Sequence, residues 1–378
     1  MDESHKNKLA GKLDQKLDEK LEGELKALRD GIDSLDSEIL QLLGKRANLA
    51  KRVGNLKQTS GWSYHVPERE RFVIERVKHK AADYGFPEAA IASIYREIMS
   101  ACLRLESPIT VAYLGPGSTF SYFALRRVFG DSAKSAPERT IDEVFDAIEG
   151  DRADYVIVPI ENSFEGTVHE SMQRLIKTQA FVHGEYYLSI EHALLGAGPD
   201  HSKITRVFSH PQAFLQCRGW LRSHLPAAEL VATTSTAQAC KDVASDEHWA
   251  AIANAAAAPE SGLNVLARNI QDKGNNETRF LVLAREQKLK ARQNDKSSII
   301  FSVPHLSGKL YQVLQVLGSE GINVLKLEAV PDRSMPWKAY FWMDTDGLHE
   351  EASRQRIFDL MKVHCDLFHH IGTYSRLE

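Results

Sequence analysis

A chain of 378 residues exceeds what one ordinary hydrophobic core organises, so two or three domains are expected. Its composition, 43% hydrophobic and 26% charged, is that of a globular protein, and a net charge of -4 leaves no basic footprint for nucleic acid. No apolar run approaches the roughly 20 residues that cross a bilayer, and Cys102, Cys217, Cys240 and Cys365 are scattered without a C-x-x-C pair, which argues against membrane and zinc and for reduced thiols in a cytoplasm.

The chain opens on MDESHKNKLAGKLDQKLDEK, charged throughout and therefore no secretory signal. Leu9, Leu13, Leu17, Leu21, Leu25, Leu28, Ile32 and Leu35 recur at helical spacing, and the stripe continues through Ile39, Leu42, Leu43, Leu49 and Val53. This helix is expected to end at TSGW (59–62). Pro67 opens a second helix running to about Asp83, and Pro87 opens a third that Pro108 stops. One long helix and two short ones cannot bury their apolar stripes within a single chain, so an intertwined dimer is expected. Residues 1–107 are read as an all-α domain, with 1–24 as an N-terminal helical extension.

From Ile109 to about Ala284 short strands alternate with helices: ITVAYLG, YVIVPIEN, ITRVFSH, LVATTST, WAAIAN and RFLVLA. The pattern predicts an α/β domain over 108–285, in two lobes, with largely parallel sheets. In GNNETRF (274–280) polar residues crowd the mouth of a buried strand, either as a loop or as the place where α/β proteins keep their chemistry. Residues 286–296 read as a charged linker. Over 297–378 the pattern is strand (Ser298 to Val303), helix (Gly308 to Leu317), two strands (Ile322 to Val330, Lys338 to Asp344), helix (Ala352 to Val363) and strand (His370 to Tyr374), a ferredoxin-like α+β unit.

The long helix carries Arg29, Arg46 and Lys57. Arg46 and Lys57 are eleven residues apart, about 16 Å along one face, so two long cations can converge on a small dianion. Arg29 lies about 25 Å further along, too far to join them from the same helix, but it could serve the site of an antiparallel partner chain. Solvated surface charge is the plainer reading of any one of them.

The stretches ALRDGIDSLDSEILQLLGKRANLAKRVGNLK, VPERERFVIERV and IYREIMSACLRLE together resemble the all-helical chorismate mutase domain of bacterial bifunctional enzymes. The resemblance places Arg29 (from the partner chain), Arg46, Lys57, Arg69, Glu70, Cys102 and Glu106 at substrate-contact positions, with Lys57 and Glu106 facing the breaking ether bond. Cys102 stands where relatives commonly have Ser, and Val66 where they can have Asp. A pericyclic shift of chorismate to prephenate needs neither nucleophile nor metal, only a compact conformer and stabilised charge. Glu106 can donate a hydrogen bond only when protonated, so mutase activity is expected to fall as pH rises.

VAYLGPGSTFS (111–121), VPIENSFEGTV (158–168), SHPQAFLQC (209–217), STAQA (235–239) and NETRFLVL (276–283) resemble prephenate dehydratase, motif by motif and in order. The resemblance implies two lobes akin to type II periplasmic-binding folds, with the active site between them. It implies that Thr278 donates to the leaving hydroxyl of prephenate. It also places Asn162, Thr167, Ser209, Gln216, Ser235, Thr236 and Arg279 at or near the substrate, though Ser235 and Thr236 serve equally well as helix caps and Arg279 as a partner for Glu161.

SGKLYQVLQVLGSEGINVLKLEAVP resembles the start of an ACT domain, a module that binds amino acids at dimer interfaces. Gly308, Leu310, Asn323 and Glu328 fall at its effector positions. Here Gly308-Lys309-Leu310 replaces the usual Gly-Ala-Leu, and Glu328-Ala329-Val330-Pro331 the usual Glu-Ser-Arg-Pro, which leaves open phenylalanine, another effector or a purely structural role. The expectation is a cytoplasmic enzyme acting on chorismate and then prephenate, without metal or organic cofactor, as a homodimer or dimer of dimers. A dehydratase with a decayed mutase arm, or a catalytically silent amino-acid sensor, are the alternatives.

Overall fold

The computed structural model describes residues 3–60, 62, 64–286, 295–332, 339–346, 348 and 350–377, with side chains from residue 21 onward. The expected linker lies mostly outside the described residues, as do the side chains of Leu9, Leu13 and Leu17. Packing separates two compact units: the chain up to Tyr64 together with Leu105–Ser107, and His65–Arg104 together with the chain from Pro108 onward. The two short helices, up to Arg104, are grouped with the strands and helices C-terminal to them.

In the first unit α1 (Glu3–Ser60) is one unbroken helix of 58 residues, about 87 Å long. Five glycines interrupt its sequence. Gly54 has a packing reason, because a Cβ there would stand 2.6 Å from the Glu106 carbonyl oxygen. The stripe from Leu21 to Val53 is largely exposed in a single chain, Leu28 at 67% and Leu42 at 62%.

The second unit begins with α2 (Pro67–Asp83) and the part of α3 (Glu88–Glu106) up to Arg104. Pro67 sits in the first turn of α2, followed by Glu68 and Glu70, which complement the helix dipole. Val73, Ile74, Ala92 and Met99 form a small core between the two helices. Ser100 donates to the Phe129 carbonyl (2.8 Å) and accepts from the Ser132 N–H (3.1 Å), fastening α3 to the adjoining α/β lobe.

That lobe contains β1 (Thr110–Leu114), α4 (Phe120–Phe129), β2 (Lys134–Glu138), α5 (Ile141–Glu149), β3 (Tyr155–Asn162), β4 (Gly166–Thr167), α6 (His169–Leu175) and β5 (Phe181–Ser189). The chain then crosses to a second lobe: β6 (Ala193–Gly196), β7 (Arg206–Ser209), α7 (Pro211–Gln216), α8 (Arg218–His224), β8 (Glu229–Ala232), α9 (Thr236–Val243), β9 (Trp249–Ala253), α10 (Ala257–Ser261) and β10 (Asn264–Ala267). It returns as β11 (Glu277–Ala284), which inserts between β3 and β5.

The expectation of largely parallel sheets is corrected. The first sheet runs β2-β1-β3-β11-β5 and the second β10-β6-β9-β7-β8. β1 is parallel to β2 and β3, and β7 to β8 and β9, but β11, β6 and β10 pair antiparallel. Strands followed by a helix return in the same direction; those joined by the interlobe crossings do not.

The remaining chain, β12 (Lys296–Ser302), α11 (Lys309–Ser319), β13 (Val324–Pro331), β14 (Ala339–Thr345), α12 (Glu351–Lys362) and β15 (Leu367–Tyr374), forms an antiparallel sheet of order β13-β14-β12-β15. This is the split βαββαβ arrangement. Ile299, Phe301 and Met343 face the two helices. Ile300, Trp342 and Ile371 point the other way and join the core of the first lobe, alongside Val156 and Leu283.

Candidate functional site

In the first unit, Lys57 near the end of α1 reaches Glu106, with Nζ 2.8 Å from Oε2, and also donates to the Tyr64 carbonyl at 2.9 Å. Arg46 lies three turns earlier and is half-buried, whereas Arg29 is exposed. Because α1 is continuous, Arg29 stands about 42 Å from Lys57 along the axis. In the second unit, Arg69 and Glu70 occupy the first turn of α2, Arg69 over the Phe72 ring and Glu70 3.7 Å from His65. Cys102 is a buried free thiol on α3.

The second constellation lines the cleft between the two lobes. Thr278, Phe280, Asn162 and Pro159 come from β11 and β3; Gln216, His192, Ser235 and Thr236 come from the other lobe or its crossing. Two longer helices begin here. Thr119 caps α4 by accepting from the Tyr122 N–H, and Ser235 caps α9 by accepting from the Gln238 N–H. Free N–H groups of the first turns, with the positive end of each helix dipole, make this an anion-favouring cleft. Arg139 also lines it, although its guanidinium is engaged by Glu143 at 2.7 Å.

A directional hydrogen-bond chain runs through the polar residues. Asn162 Nδ2 donates to Thr278 Oγ1 (2.9 Å) and to Asn276 Oδ1 (2.8 Å). Asn276 Nδ2 in turn donates to Gln216 Oε1 (3.3 Å), which also meets His192 Nε2 (2.7 Å). Asn276 is 4% exposed and follows Asn275, whose backbone is left-handed at φ +62°. Asn tolerates that left-handed conformation better than most residues. Burial lowers the His192 pKa, with the Gln216 contact opposing; burial likewise raises the pKa of the Glu165 carboxyl, again opposed by Gln216.

Three expected substrate contacts do not line the cleft. Arg279 faces the opposite side of β11 from Thr278, where Nε lies 2.7 Å from Glu185 and Nη1 2.7 Å from Asp344; Glu161, its expected partner, is at 3.9 Å. Burial works against the Arg279 charge, but Tyr374, Asp344 and Glu185 more than offset it and raise its pKa. Thr167 turns to Glu328, and Ser209, fully buried, donates to the Ile252 carbonyl at 2.8 Å. Sequence reasoning passed over Asn276, His192 and Glu165. Asn276 stood in the quoted GNNETRF stretch, but its links to Gln216 and Asn162 exist only once the crossings bring the lobes together.

In the C-terminal module Gly308 (φ +81°) precedes α11, and Leu310 packs against the helix-side core. Asn323 donates its N–H to Asp346 at 3.0 Å. Glu328 pairs with Lys326 at 2.9 Å.

The chain matches two family profiles: prephenate dehydratase over residues 111–288 and chorismate mutase type II over 28–107. A bifunctional chorismate mutase/prephenate dehydratase of Aquifex aeolicus is 42% identical over 356 residues, covering 93% of this chain and 98% of that protein. The chain belongs to the bifunctional chorismate mutase/prephenate dehydratase family. A relative from Stutzerimonas stutzeri is 38% identical, with 93% and 98% of the two chains covered. Among solved structures, the prephenate dehydratase of Arthrobacter aurescens in complex with L-Phe is 30% identical, with a TM-score of 0.64 over 71% of this chain and 90% of that one.

Proposed function

We propose that this bifunctional enzyme rearranges chorismate to prephenate at the Lys57–Glu106 site and then converts prephenate to phenylpyruvate in the interlobe cleft. In the first step, electrons move around the ring and side chain as the ether C–O bond breaks and a C–C bond forms. Arg46 and Lys57, with the partner's copy of Arg29, hold the two carboxylates and the compact conformer. Lys57 and Glu106 meet the charge that grows on the ether oxygen.

Dehydration is carried by one observation: Asn162 donates to Thr278 Oγ1 at 2.9 Å. That bond fills an acceptor position on the hydroxyl, so its hydrogen is left to donate elsewhere. Aimed into the cleft, it meets the ring hydroxyl of prephenate. As the ring carboxylate leaves as carbon dioxide, the electrons of its C–C bond enter the ring and expel the hydroxyl, which departs as water with a proton ultimately from solvent. Aromatisation drives the step, and Thr278 stabilises the charge on the departing oxygen. Gln216 and the α4 and α9 helix starts, at Thr119 and Ser235–Thr236, hold the substrate carboxylates. Thr278→Ala should abolish dehydration and spare the mutase; substantial surviving dehydration would refute the assignment.

We read the C-terminal module as an ACT domain taking an amino-acid effector, phenylalanine, through Gly308, Leu310, Asn323 and Glu328. The L-Phe complex of the Arthrobacter dehydratase supports this. The exposed stripe of α1 and the distance of Arg29 from Lys57 support a homodimer in which each long helix completes the other's site. The four free cysteines fit a cytoplasmic enzyme, and no described helix is long and apolar enough to cross a membrane.

A further inference from the structure

The β3–β11 pair carries different chemistry on its two faces. Thr278 lies opposite Asn162, and both line the cleft; Arg279 lies opposite Glu161, and both turn to the C-terminal module. The ladder is interrupted at this point. Phe280 pairs with Pro159, so Ile160 is an extra residue in β3, a bulge in the β3–β11 ladder next to the last two residue pairs, while β11 keeps its register with β5 from Glu277 to Val282. Beyond it side chains on both faces add to the backbone pairing of the strand end. The cleft face is tied by Asn162 and Asn276, the other by Arg279 and Glu161.

The anchor on that second face is rigid. Asp344 on β14 is 2% exposed; its Oδ2 takes Arg279 Nη1 at 2.7 Å, while Oδ1 accepts from Ser298 (2.5 Å) and Trp342 Nε1 (2.8 Å). Its geometry is therefore fixed by the module's own sheet. Arg279, adjacent to Thr278, is in turn fixed by Asp344 and Glu185 at once, a fork that a single-headed ammonium cannot reproduce. We infer that Arg279 is a positioning residue for dehydration, and that Asp344 of the C-terminal module, by holding it, keeps Thr278 aimed into the cleft.

The inference rests on reading Thr278 as the hydrogen-bond donor, and its test separates the two. Full-length Asp344→Asn and Arg279→Lys are assayed for both reactions, with Thr278→Ala alongside. The expected result for each of the first two is a dehydratase kcat lower by about tenfold, a KM for prephenate within twofold, unchanged mutase kinetics and a native-like melting transition. Should Asp344→Asn lose its native transition, Arg279→Lys, which keeps the buried charge, carries the test. A folded variant with kcat within twofold of the parent overturns the inference. So does a loss seen wholly as a raised KM, which would make Arg279 a binding element. If Thr278→Ala still dehydrates prephenate, the reading of the cleft itself fails.

Discussion

The Lys57 ammonium and the Glu106 carboxylate meet at 2.8 Å, each less than one-fifth exposed. In this pairing Glu106 accepts. To donate to a breaking ether oxygen a carboxyl must instead carry a proton, so the mutase should slow as pH rises. Glu106→Gln donates at any pH and should flatten that limb in a pH–rate profile of kcat/KM. An identical profile in the variant would exclude the role. Lys57→Ala should lower mutase kcat by roughly 10²–10³ and leave dehydration intact.

Leu28, Ile32, Leu35, Ile39 and Leu42 are each more than half exposed in a single chain. An apolar stripe of that length on a helix is a surface for another helix. The protein should sediment as a dimer or larger, and Leu35→Glu with Leu42→Glu should yield monomers. Those monomers should lose mutase activity at least about 100-fold, because Arg29 no longer reaches a partner's site, and should keep dehydratase activity within a few-fold. A monomeric parent, or a fully active monomeric mutase, would contradict the shared site.

His183 sits in a buried group of rings, tilted against His65 and edge-on to Tyr155, its Nε2 3.0 Å from His65 Nδ1. Burial pushes its pKa down from 6.5 to about 4. The unfolded chain therefore binds a proton near pH 6.5 that the folded chain refuses until about pH 4. Its contribution is complete above 6.5 and is lost as pH falls, by about 2 kcal/mol at pH 5. His370, lowered to about 4 mainly by burial, acts in the same direction. Thermal melts at pH 7 and pH 5 should show a clear acid destabilisation, smaller in His183→Gln. An equal drop in both proteins would assign the effect elsewhere.

Asn276 links the lobes through Asn162 on one side and Gln216 on the other. Asn276→Ala removes one acceptor that holds Asn162 Nδ2 beside Thr278, while the Phe164 and Glu165 N–H groups still hold Asn162 Oδ1. Dehydratase kcat should fall by about tenfold with the mutase unaffected, a loss in the range of one misplaced catalytic hydrogen bond. A change confined to KM would make Asn276 a binding residue instead.

Most of this architecture could be read from periodicity. The leucine spacing set α1, and Pro67 and Pro108 marked helix limits that the structure reproduces. Strands with β-branched runs, such as YVIVPIEN, were plain. Missed strands lacked that texture: KSAPE of β2 carries Pro137 and survives because it is an edge strand, while FVHGEYYLS of β5 mixes polar and small residues. The antiparallel insertion of β11 depends on a return from the other lobe, which no local pattern encodes. Within the cleft, Thr278 and Asn162 were legible as motif residues. Strand alternation alone would have turned Arg279 away from Thr278. The bulge at Ile160 and the partnership with Asp344 required the fold.

One chain holds two separate sites for successive reactions. The most direct test of this is a chorismate assay of Thr278→Ala that follows both chorismate loss and phenylpyruvate appearance. Chorismate should disappear at the parent rate, prephenate should accumulate, and phenylpyruvate formation should fall at least about 100-fold. Phenylpyruvate formed at the parent rate, or chorismate left unconsumed, would contradict it.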